Sequence, residues 1–244
     1  MIEWSEDGLV LAARPHGETA AVAQLLTRTR GRHAGLVHGG QSPRHAGLLQ
    51  PGNLVHATWR ARLSEHLGTY ALETKRSHAA RFLSDADRLA ALASATAVCE
   101  TALPEREPHP GGYEGLLALI EGLESDHWAE AYVHWELMLL ADLGFGLDLG
   151  SCAAGGANDQ LAYVSPRTGR AVSLAAGEPY RDRLLALPGF LAGRGGGGPG
   201  EVAQGLRLTG FFLERHIFFP QDRGLPPARL RLAERFPLAP GDDA

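Results

Sequence analysis

The sequence predicts an α+β chain of two parts: a small all-β domain over residues 1–80 and an all-α helical domain over 81–244. Three observations point there. Short β-type segments separated by Pro and Gly turns fill the first part; apolar spacing switches to a helical period after Arg81; and the charge balance changes sign at the same place.

Five segments read as strands: residues 8–13, 20–29, 32–38, 54–63 and 67–74. Their turns sit at Pro15-His16-Gly17, Gly31, Gly39-Gly40 and Pro51-Gly52. In the fourth, Leu54, His56, Thr58, Arg60 and Arg62 alternate with Val55, Ala57, Trp59, Ala61 and Leu63. Side chains on a strand alternate between faces, so one face is apolar, with Trp59 in the core, and the other is basic. Tyr70 is left open between core and surface. Five short strands with no long helix between them predict a closed or nearly closed barrel of the oligonucleotide-binding (OB) type. Between the third and fourth strands, Gly39 to Gly52 reads as a mobile basic loop.

The second part begins with a helix signal at Ser84-Asp85, and apolar residues keep helical spacing up to Pro104. Pro108-His109-Pro110-Gly111-Gly112 reads as a linker, followed by helices over 113–124 and 127–143. Trp128, Tyr132, Trp135 and Leu139 recur on one face of the longer helix, which at this spacing marks core. Residues 150–177 are turn-rich and irregular. A short helix is expected near 182–187. The Gly-rich run 193–200 lacks a following Gly-Lys-Ser/Thr and reads as a linker, not a phosphate loop. A helix over 201–218 buries Val202, Leu206, Leu213 and Ile217, and Pro226-Pro227 opens a last basic helix with Arg229, Arg231 and Arg235.

Net charge is −5, but it is unevenly spread. Residues 1–82 carry ten basic and six acidic groups, 83–166 two and fourteen, and 167–244 eleven and eight. A basic first part beside an acidic middle suits a polyanion-binding module on a separate scaffold. No catalytic motif is present: no nucleophile elbow, zincin helix or nucleotide-phosphate loop. His16, His33, His38 and His45 lack ligand spacing, and two cysteines, Cys99 and Cys152, make no disulfide framework. The reading is therefore a binding protein, not an enzyme. An acidic amino terminus and the absence of a long apolar run predict a cytoplasmic protein with no membrane contact.

Several blocks carry a resemblance: 19–27, 31–37, Leu49-Gln50-Pro51-Gly52-Asn53-Leu54-Val55, 65–69, Ser165-Pro166-Arg167-Thr168-Gly169-Arg170, and Leu206 through Arg215. In order and spacing, from Trp4 to about Phe218, they resemble the RecO family of bacterial recombination mediators. The resemblance implies an OB barrel, a helical domain and, in many members, a four-cysteine zinc module. It also implies binding of single- and double-stranded DNA, annealing of complementary strands, and association with RecR. Contact with the carboxy-terminal tail of single-stranded-DNA-binding protein, so that recombinase can load, is implied as well.

Two departures matter. Only Cys152 remains where the family has four cysteines, with Gly155, Ser173 and Ala176 at the other positions, so the module at 150–177 is expected as a degenerate loop without zinc. Where relatives carry Lys or Arg after the third strand, this chain has His38 and Gln41. The expected phosphate contacts are Arg30, Arg32, His38, Arg44, Arg60 and Arg62, and the expected partner contacts Arg207 or Arg215. The other reading is a barrel that serves only as a protein-interaction scaffold without strong DNA binding.

Overall fold

The computed structural model describes residues 1–238. The chain divides into two compact units, Met1–Glu121 and Gly122–Ala244.

In the first unit the strands β1 (Ile2–His16), β2 (Ala20–Thr27), β3 (Gly31–Val37), β4 (Leu54–Ala61) and β5 (Thr69–Arg76) close a barrel in the order β1-β2-β3-β5-β4. β1 is long enough to serve both sides of the closure. Its first half pairs with β4 from Ile2↔Ala61 to Leu9↔Leu54, and its second half with β2 from Gly8↔Thr27 to His16↔Ala20. A register shift between Val10 and Ala12 supplies the bend. The barrel closes where β3 and β5 run parallel at Leu36↔Thr69, with Leu36 N donating to Gly68 O at 3.0 Å. Val10, Leu25, Val37, Val55, Trp59 and Tyr70 fill the interior, which places Tyr70 and Trp59 in the core.

The connection expected as a mobile loop contains a helix, α1 (Pro43–Leu48). Ser42 caps it, Pro43 suits its first turn, and the chain re-enters the barrel through Gly52, at φ 87°. A Cβ there would lie 2.4 Å from Leu92, so the Pro51-Gly52 pair is required by packing as well as by the turn. Asn53, fully buried, donates to Gly47 O and Leu48 O and accepts from Ala79 N, fixing α1 and the start of α2 (His78–Arg81).

Beyond the barrel, α3 (Ala86–Ala102) starts at Asp85, whose carboxylate accepts from the Asp87 and Arg88 amides. It packs on β1, where Arg14 meets Glu100 at 2.6 Å. α4 (Pro110–Gly122) starts inside the expected linker, because Pro110 is tolerated at a helix start. The barrel itself ends at Arg76, yet the compact unit around it runs on to Glu121.

The second unit holds α5 (Trp128–Asp142), β6 (Leu161–Val164), β7 (Ala171–Ser173), α6 (Leu174–Gly177), β8 (Leu185–Ala186), α7 (Pro199–Leu213) and α8 (Pro227–Glu234). It is not purely helical. The stretch expected to be irregular carries a three-stranded sheet in the order β7-β6-β8. Its strands are too short for an alternation to show. The helix expected near 182–187 is instead a 3₁₀ segment, Glu178–Arg183, followed by β8. α7 passes into a π turn, Glu214–Phe218.

As expected, Tyr132, Trp135 and Leu139 of α5 are buried, but Trp128, at the helix start, is only half-buried. In the last, basic helix Arg231 is exposed, whereas Arg229 is 1% exposed and paired with Glu136, itself fully buried. Nε donates to Oε1 at 2.6 Å, Nη2 to Oε2 at 2.8 Å and to Leu206 O at 2.7 Å. Thr209 donates to the same carboxylate. Burial pulls the Arg229 guanidinium down, but the Glu136 charge and hydrogen bonds outweigh it and leave the group above its ordinary value.

Candidate nucleic-acid interface

Barrel topology separates the expected phosphate contacts into two groups. Because Ala21 pairs with Val37 and His16 with Ala20, His38 emerges beside the β1–β2 turn, with Arg44 on α1 close behind in the same connection. Because Ile2 pairs with Ala61, Arg62 emerges beside the start of β1. Arg30 belongs to this second group: its β2–β3 turn is tied to β1 by Thr29 N and Oγ1, which donate to Glu6 at 2.8 and 2.9 Å.

The arginines differ in what already occupies them. Arg30, Arg44 and Arg62 are exposed and have no carboxylate within ion-pair distance among the described residues. Arg60 has one. Register places Glu3 opposite it, and Nε donates to Oε2 at 2.7 Å, which holds the Glu3 carboxyl below its ordinary value. Further along, Asp7 meets His56 at 2.7 Å and Lys75 at 3.5 Å. The basic face read on β4 is thus interleaved with acidic groups from β1, a cross-strand fact that alternation within one strand cannot reveal. Arg32 is half-buried, and its Nε donates to Leu103 O at 2.8 Å, a structural bond.

Gln41, one of the two departures noted after the third strand, has structural work: Nε2 donates to Gly17 O at 3.0 Å and Ala20 O at 2.9 Å, joining the β1–β2 turn to the β3–β4 connection. His38 beside it is exposed.

At the Arg30–Arg62 end lies a cleft of about 280 Å³ that sequence reading did not find, lined by Trp4, Arg30, His33, Trp59, Ser64 and Arg106 among others. Trp4 stacks on Trp59 at 5.8 Å and 21°. The His33 ring stands edge-on to both, at 5.1 and 4.9 Å. Tyr70 Oη donates to His33 O at 3.2 Å, and Trp59 Nε1 to Leu67 O at 2.9 Å. Gly68 fits beside Trp59 only because it lacks a Cβ, which would sit 2.5 Å from the indole. Burial, with help from the Arg106 and Arg30 charges, drops His33 to about 4, so the ring is neutral at neutral pH. Arg106, at φ 61°, donates from its amide to Arg32 O and from its guanidinium to Ser64 O and His66 O, bracing the β4–β5 loop. Trp4 lay outside the first strand as read from the sequence. The alternation does reach it through Glu6 and Gly8, but its pairing with Trp59 is a matter of register.

In the second unit, Arg207 lines a groove of about 650 Å³ between α7 and α8, with Leu206, Phe211, Leu225, Leu230 and Phe236. Arg215 is differently employed: Nη1 donates to Pro166 O at 2.8 Å, and the guanidinium lies over Phe211.

Around Cys152 the donor set does not fit a structural zinc. Ser173 N donates to Sγ at 3.2 Å and Ser173 Oγ lies 3.5 Å away, while Gly155 and Ala176 bring no ligating atom. The Ser173 hydroxyl and amide, then neighbouring backbone amides, hold the thiol at about 7. Among the described residues no group of three or more His, Cys, Asp or Glu could hold a metal ion, and no helix is long and apolar enough to cross a membrane.

A closed five-stranded OB-type barrel, followed by a mainly helical unit, places the chain in the class of OB-barrel proteins with a helical body. Two family descriptions match consecutive stretches: Recombination protein O N terminal over residues 1–77, and Recombination protein O C terminal over residues 83–223. The DNA repair protein RecO of Rhodospirillum centenum is 63% identical over 237 residues, 96% of this chain and 95% of that one. That of Rhodospirillum rubrum is 52% identical over 248 residues, 96% of each. The Caulobacter vibrioides protein is 50% identical over 236 residues, 96% of this chain and 94% of its own. The chain belongs to the RecO family, and its role is in DNA repair and recombination.

Proposed function

We propose that this chain is a recombination mediator that acts by binding, without turnover, ATP or zinc. It binds single- and double-stranded DNA, anneals complementary strands and helps recombinase load onto DNA coated with single-stranded-DNA-binding protein. One observation carries the reading: exposed cations that have no carboxylate partner among the described residues stand at two separate places on the barrel, Arg30 and Arg62 at one, Arg44 beside His38 at the other. Two strands each neutralised at their own place repel one another less, and that lowers the barrier to pairing.

Partners follow the family. RecR is one. The tail of single-stranded-DNA-binding protein, an acidic and apolar peptide, suits the groove between α7 and α8, where Leu206, Phe211 and Phe236 supply apolar wall and Arg207 the cation. Glu214 and Glu234 on the same groove would set the peptide's charges away from them. A cytoplasmic, nucleoid-associated location goes with this work.

Fluorescence anisotropy of labelled single-stranded oligonucleotide across a salt series tests the reading. Binding should weaken steeply with salt, and Arg62→Ala or Arg44→Ala should each lower the logarithmic slope by about 0.7. A parent protein that binds no DNA even at low salt would sink it. The carboxylates facing Arg60 and Lys75 favour the scaffold reading in that case.

A further inference from the structure

The cleft at the start of β1 has a chemistry distinct from the phosphate contacts. Its wall is aromatic and rigid: Trp4 on Trp59, with His33 and Tyr70 edge-on, each polar atom of Trp59 and Tyr70 tied to backbone carbonyls. That wall is uncharged near neutral pH, because His33 is buried beside two guanidinium groups. The cations stand at its rim. Arg106 is held by Ser64 O, His66 O and the nearby Glu105, whereas Arg30 is exposed and lies over the Trp4 ring, 5.9 Å from its centroid. Trp4 itself is only partly buried, so the cleft opens to solvent. A neutral aromatic surface beneath a movable cation takes a planar uncharged ring that carries an anion next to it.

We propose that this cleft binds one unstacked nucleobase of a single DNA strand, the base stacking on Trp4 and the Arg30 guanidinium moving off the indole to meet the base and its phosphate. The proposal rests on the DNA-binding reading and adds a preference to it. Phosphate contacts serve any strand, but bases in a duplex are stacked on their neighbours and do not reach the cleft, so this site selects single strands. It also gives the otherwise electrostatic barrel one contact that salt does not screen.

The test compares two labelled decamers of equal charge, oligothymidylate and an abasic strand with the same phosphates, by anisotropy at one low salt concentration. The parent should prefer the base-bearing strand by about tenfold. Trp4→Leu should bring the ratio close to one, Trp4→Tyr should keep most of it, and Arg30→Ala should lower both the ratio and the affinity for the abasic strand. Circular dichroism checks that each variant is folded. Should Trp4→Leu fail to fold, Arg30→Ala, at an exposed turn, still decides through the ratio. Equal binding of both strands by the parent overturns the base site and leaves the DNA-binding reading standing, as does a ratio that survives in both Trp4→Leu and Arg30→Ala. A parent that binds neither strand overturns both.

Discussion

The barrel and the helical unit each bury a titratable side chain, and they treat its charge in opposite ways. His33, 5% exposed among Trp4, Trp59 and Tyr70, sheds its proton chiefly because burial penalises the charged ring, and the Arg106 and Arg30 guanidinium groups add to this against the opposing charge of Glu105. Arg229, 1% exposed between α5 and α7, keeps its charge because Glu136 meets it with two hydrogen bonds and Thr209 and Leu206 O satisfy what remains. Burial penalises the charged form at both places; a contacting carboxylate outweighs it for Arg229, and nothing of that strength does so for His33. The consequence is a neutral wall at the barrel mouth, fit for an uncharged ring, and a charged clamp joining three helices.

The clamp is where the largest effect is expected. Glu136→Ala leaves the guanidinium buried and unpaired and should cost about 3–5 kcal/mol in a urea titration, whereas Glu136→Leu combined with Arg229→Met should recover most of it. Equal losses in the single and the double variant would show that the ion pair itself is net stabilising, and would sink the idea that the cost lies in the unpaired charge left behind.

For His33 the expectation concerns pH. Its folded value, about 4, lies below the unfolded 6.5, so between the two the unfolded chain binds more protons. Stability from this group is therefore complete above about 6.5 and drains as pH falls toward 4, by an amount on the order of 3 kcal/mol. His33→Gln should flatten that part of the stability profile; a profile of unchanged slope would mean the ring is charged in place.

Gly68 sharpens the contrast, since it shapes the wall without charge. Gly68→Ala forces a Cβ at φ 64° against Trp59 and should destabilise by about 1–3 kcal/mol in the same titration, with a loss of base preference. Smallest of all is Glu3→Gln. It frees an exposed Arg60, should leave stability nearly unchanged, and should raise DNA affinity at low salt. Unchanged affinity would remove Arg60 from the phosphate contacts.

Much of this was legible residue by residue. The period-two alternation in β4 placed Trp59 inside, the Pro-Gly re-entry at 51–52 marked a turn that packing also demands, and the i, i+4, i+7 spacing of Tyr132, Trp135 and Leu139 marked the core face of α5. The site was legible only in part. Arg30, Arg44 and Arg62 could be named from type and turn position, but that Arg60 answers Glu3, that Arg32 is spent on Leu103 O and that Gln41 bridges two turns are cross-strand facts.

What the sequence determined by itself is what depends on neighbours along the chain: strand and helix periods, caps such as Asp85, and turns at Gly and Pro. What the tertiary structure decided depends on partners far apart in the chain. Trp4 meets Trp59, Glu3 meets Arg60 and Glu136 meets Arg229, and each residue acquires its role from the charge or ring that register and packing set beside it. Local propensity acts over a few residues, whereas a side chain's protonation and exposure are set by everything within a few ångströms in space.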